Sequence, residues 1–189
     1  RLNAGMLTLG NSAALGAGNL IVAGASTLDS SAAVNLANRV QLNANLTLTG
    51  NNAMTLDGLI SGPGGLVKNG AANLALNGAN NYGGGTTINA GMLTLGNSAA
   101  LGSGTLTVAG ASTLDSSAAV NLGNSVQLGA NLTLAGSNAL TFGGAISGAG
   151  GLIKNGASTL TLSGNSGFLG GTTVNAGTLA VNGSIVGNV

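Results

Sequence analysis

Three carboxylates, Asp29, Asp57 and Asp115, are the whole acidic inventory of this 189-residue chain, which has no histidine and no cysteine. Paired carboxylates could cleave a glycosidic bond if they sat about 5–9.5 Å apart. Their placement speaks against it. Asp29 and Asp115 are the same position in two copies of one sequence, so four coils of a stacked structure, about 19 Å, are expected between them. Asp57 is replaced by Gly143 in the second copy. All three are expected to form turns. Lys68 and Lys154 each precede Asn-Gly and are expected at solvated corners that blunt sideways sheet pairing. Without histidine or cysteine, zinc-type and iron-type sites lack their usual nitrogen and sulfur ligands. The glycine runs 62–65 and 148–151 lack both the Asp of calcium-binding repeats and the Lys-Ser/Thr of a phosphate loop, and read as corners. No catalytic, cofactor-binding or metal-ligating residue is assigned, no cofactor is expected, and the chain is expected not to be an enzyme.

Two polar residue types remain. Thr8, Thr47, Thr94, Thr107, Thr133 and Thr161 sit between aliphatic neighbours and are expected to point outward. Stacked, they could offer a regular ligand face, but β-propensity on a wet face explains them without one. Asn3, Asn89 and Asn175 are expected to form turn ladders. Asn45-Leu46-Thr47 and Asn131-Leu132-Thr133 match the glycosylation acceptor pattern, a match too short to carry a site.

Composition excludes further classes. Glycine is 36 of 189 residues and charged residues are 4%, against about 7% and about 25% in ordinary proteins. A net charge of +1 offers no field for nucleic acid. Tyr82, Phe142 and Phe168 are too few to stack single-stranded bases. Neither nucleic acid nor a small-molecule substrate is expected as a partner. Glycine does not fall at every third position, which rules out collagen. The opening Arg1-Leu2-Asn3 shows no signal peptide, and residues 15–25 are too short and too glycine-rich for a membrane helix.

The elements that would carry these residues come from a tandem repeat. Residues 3–10, NAGMLTLG, return at 89–96, and the same start appears again at 175, a spacing of 86 residues. Roughly 62 of the 86 aligned positions are identical, far beyond chance. Copies are therefore placed at 1–88 and 89–174, with a partial third at 175–189, in one solenoid over 1–189. Because the chain starts and stops inside the repeat, it is expected to be a fragment of something longer.

Within a copy, paired aliphatics recur with one residue between them: Leu7/Leu9, Leu20/Val22, Val34/Leu36, Val40/Leu42, Leu46/Leu48, Met54/Leu56 and Leu74/Leu76. That period of two marks half-buried strands. Asp29, Ser30 and Ser31 are expected to turn, and residues 11–18 to form a loop-like connection. Helices fail on period and on glycine cost. A transmembrane barrel needs longer strands and aromatic girdles. The fold expected is all-β, a right-handed parallel β-helix (β-solenoid) of about nine coils, with about four coils of 20–22 residues per copy and a rod about 40 Å long.

Residues 64–96 and 150–183 carry a more specific pattern. In the second it reads Gly150-Gly151-Leu152-Ile153-Lys154-Asn155-Gly156, then Thr159-Leu160-Thr161-Leu162-Ser163-Gly164, then Gly170-Gly171-Thr172-Thr173-Val174-Asn175-Ala176-Gly177-Thr178-Leu179. It resembles the passenger-associated transport repeat of bacterial autotransporters. The resemblance implies a rod secreted by, or displayed on the surface of, a Gram-negative bacterium. It also implies export through a C-terminal outer-membrane β-barrel of the same polypeptide, a barrel absent from these residues. The function expected is a structural stalk or passenger segment of an adhesin. The alternative is a self-assembling extracellular fibre or biofilm-matrix protein, a homo-oligomer or filament joined through open coil ends.

Overall fold

The computed structural model describes residues 1–50, 52–186 and 188. Every strand named in them pairs in parallel, and among the described residues there is no helix. Most strands are three residues long with a buried–open–buried pattern, as in Val40–Leu42 and Leu132–Leu134. Three residues suffice because both flanking side chains enter the core while the middle one points out.

The strands stack on three faces. The first face holds Leu20–Val22, Val40–Leu42 and Ile60–Ser61 in one sheet, and Val120–Leu122, Leu140–Phe142, Thr159–Leu162 and Thr178–Val181 in another. Backbone hydrogen bonds carry the stack across the gap: Asn81 N–H donates to the Ile60 carbonyl at 3.0 Å, and Ser103 N–H to that of Tyr82 at 3.0 Å. The second face is an eight-stranded sheet from Met6–Leu9 to Ile146–Gly148, continued by Asn165–Ser166 and Ser184–Ile185. The third is an eight-stranded sheet from Val34–Leu36 to Thr172–Val174. The chain visits first, second and third face in turn, making a β-solenoid of about nine turns.

Leu28, Leu36, Leu42, Leu56, Leu76, Leu95, Leu114, Leu122 and Phe142 are among the fully buried side chains that fill the interior. Burial of each such side chain contributes about 1.5–3 kcal/mol. Corners are turned by glycine where backbones of successive coils nearly touch. Gly62 and Gly148 have φ of 107° and 114°, and a Cβ on either would collide with the carbonyl oxygen of Leu42 or Leu128 in the coil before.

Two expectations are corrected. Asp29, Ser30 and Asp115 do not turn: they lie in the five-residue strands Ser26–Ser30 and Ser112–Ser116, which pair with Met6–Leu9 and Met92–Leu95. The paired strand supplies backbone partners that a local turn cannot match. The coils lie at the short end of the expected range of about 20–22 residues, which corrects the count per copy. Strand partners lie 19 to 21 residues apart, mostly 20. Eighty-six residues therefore make about four and a third coils, not four. The third copy's expected end at residue 189 lies outside the described residues.

Candidate functional site

The two lysines are not solvated. Lys68 is 2% exposed and Lys154 1%. Each ends a strand, Leu66–Lys68 or Leu152–Lys154, whose first residue faces the core. The period of two therefore points the lysine inward as well. Lys68 stacks between Leu48 and Ile88 in one column, Lys154 between Leu134 and Val174. The Lys68 ammonium donates to the carbonyl oxygens of Gly70 at 2.6 Å, Ala72 at 2.7 Å and Ala90 at 3.1 Å. Three donors thus meet three acceptors. Lys154 donates to the matching Gly156 at 2.6 Å and Ala176 at 3.2 Å. Burial pulls both lysine pKa values below the ordinary 10.5. Beside the lysines lie cavities of about 20 Å³ and about 10 Å³, room for about one water each. A substrate would not fit in either.

The carboxylates serve the backbone and its neighbours. Asp29 accepts from the Ser30 amide at 2.8 Å, Asp57 from the Asn77 side chain at 2.7 Å, and Asp115 from the Ser137 amide at 3.0 Å and hydroxyl at 2.8 Å. Asp29 and Asp115 are not stacked on one face as expected: their strands belong to the second and third faces. No group of three or more His, Cys, Asp or Glu that could hold a metal ion occurs among the described residues.

The asparagines join coils. Asn69 bonds Asn89, and Asn155 bonds Asn175, across one coil step. Asn45 and Asn131 each accept a glycine amide of the next coil, Gly65 or Gly151, at 2.9 Å. Asn38 donates to the carbonyls of Gly16 and Gly18, and its counterpart Asn124 to those of Gly102 and Gly104. Thr47, Thr94, Thr107, Thr133 and Thr161 occupy outward middle positions and are half-buried, whereas Thr8 is exposed. Sequence reasoning missed the bridge from Tyr82 to Thr86, both buried, for want of any local signal.

A lysine corner after a short inward-facing strand, an asparagine ladder one coil on and a glycine-rich turn between them recur together. The passenger-associated transport repeat matches residues 66–95 and 152–181, the two stretches that hold these corners. The chain carries two passenger-associated transport repeats. Together they span about a third of it, and with the β-solenoid around them they are consistent with an autotransporter passenger β-helix. Each transport repeat starts on the strand of its buried lysine and includes the ladder asparagine Asn89 or Asn175. No curated protein and no solved structure matches the chain.

Proposed function

We propose that this chain is a passive spacer: a β-solenoid stalk segment of a surface-displayed, adhesin-like passenger of a Gram-negative bacterium. The observation that carries this reading is where the repeated polar side chains spend their hydrogen bonds. Lys68 and Lys154, Asn38 and Asn124, Asn45 and Asn131, and Asn52 and Asn138 all bond backbone atoms of their own or the adjacent coil. What the two copies hold in common is stacking hardware. The transport repeats support export of the passenger through a barrel on the same polypeptide. The scattered carboxylates support a structural role over catalysis.

Excising residues 3–88 from the parent passenger tests the reading. The rod should shorten by about 21 Å, with binding per displayed molecule unchanged. Loss of binding would overturn it. The fibre reading is second, favoured by a charge content of only 4%, which gives little repulsion between rods.

A further inference from the structure

Identical segments of the two copies lie on different faces. Met6–Leu9 belongs to the second face, and the same sequence at Met92–Leu95 to the third. Ser26–Ser30 and Ser112–Ser116 are displaced in the same way, as are Leu46–Leu48 and Leu132–Leu134. Val40–Leu42 lies on the first face and Val126–Leu128 on the second; Val34–Leu36 lies on the third and Val120–Leu122 on the first. The shift has one direction: each segment moves on by one face per copy.

Neighbours are preserved through the shift. Asn35 N–H meets the Ser12 hydroxyl at 2.9 Å, and Asn121 N–H meets that of Ser98 at 3.0 Å. The asparagine bridges recur with the same partners, and each lysine keeps its bonds to the matching glycine and to the matching alanine of the next coil. Surface features move with them: an open cleft at Gly5, Met6, Thr27 and Thr47 on the second face reappears at Gly91, Met92, Thr113 and Thr133 on the third. The turn at residues 97–104 also moves, which is why it interrupts the first face there. The physical reason is that all three faces accept the same buried–open–buried triplet. A segment is tied to its neighbours in the stack and not to one side of the rod.

We infer that the copies are related by a screw of about a third of a turn and about 21 Å per copy, so that copy number sets the direction as well as the height of whatever the rod carries. Three copies, about thirteen coils and about 62 Å, bring the same surface back to the same side. A partner approaching from one side meets an equivalent surface only at every third copy. The consequence for a carried domain rests on the spacer reading; the screw itself does not.

The chain has no cysteine, so paired cysteines can carry spin labels for distance measurement by electron paramagnetic resonance. Gln41→Cys with Gln127→Cys labels one exposed position in both copies. Thr47→Cys with Gln127→Cys is the control, four strands apart in one sheet. The control should read about 19 Å and the equivalent pair about 30 Å, because it also crosses from one face to the next. Asn35→Cys with Asn121→Cys, a second equivalent pair between different faces, should agree with the first. Equivalent pairs reading the same distance as the control would overturn the screw. Loss of binding on copy excision would sink the spacer reading and leave these distances unchanged, so the two can fail separately.

Discussion

The buried ammonium of Lys68 donates to the carbonyl oxygen of Ala90 across a coil boundary, at 3.1 Å. Its other two donors close on Gly70 and Ala72. One side chain thus pins a corner and the coil that follows. Lys68→Met keeps the bulk but strips a donor from three carbonyls. Unmet buried acceptors cost about 1–3 kcal/mol each, offset in part because no charge is then desolvated, so urea unfolding should show a net loss of about 2 kcal/mol. Lys154→Met, which frees two carbonyls, should cost less. Equal stability of both variants and the parent would show that the corner does not depend on the lysine.

Burial lowers the pKa of both lysines below 10.5. Between the folded-state value and the ordinary one, the unfolded chain binds more protons than the folded chain. Stability therefore rises with pH across that interval. Denaturation midpoints should climb as the pH is raised from neutral toward 10. The climb should vanish in the Lys68→Met, Lys154→Met double variant. A parent midpoint that falls over this range would contradict the assignment.

Tyr82 works in the opposite sense. Its burial pushes the phenol up to about 12 from the ordinary 10.0, against a smaller opposing effect of its bond to Thr86. Above pH 10 the unfolded chain loses this proton first, so stability should fall between pH 10 and 12, by up to about 3 kcal/mol. Tyr82→Phe should remove that fall. At neutral pH it should cost about 1–2 kcal/mol, because the buried Thr86 hydroxyl loses its partner.

Gly62 tests the corners. Its φ of 107° and the Leu42 carbonyl beside it leave no place for a Cβ. Gly62→Ala should lower stability by about 2 kcal/mol or more, whereas Gly83→Ala, with open space around it, should change little. Thermal melts of the two variants make the comparison directly.

Much of this was legible in the residues. Paired aliphatics such as Leu74 and Leu76 marked the inward positions, and both are buried. Asn69-Gly70 and Ser61-Gly62-Pro63 marked corners. The lysines were misread although a signal was present: Lys68 follows Leu66 by two, which gives it inward parity. Charge suggested solvent, but backbone carbonyls at the corner supply what water would. Asp29 was misread because its turn chemistry is local, whereas its strand pairing with Thr8 is not. The third of a coil was hidden for a different reason. Alternation fixes which side of a strand is buried, but Val40–Leu42 and Val126–Leu128 read alike on any face. Only the stacking register distinguishes them.

As the proposed spacer, this segment would be a rod that stacks within itself and does not polymerise. Small-angle X-ray scattering across a concentration series tests it most directly. A lone rod gives one species of 17.6 kDa at every concentration, with a long dimension of about 43 Å from nine turns at about 4.8 Å each. A mass and length that grow with concentration, toward filaments with a repeat of about 4.8 Å along the axis, would contradict it and make assembly the function.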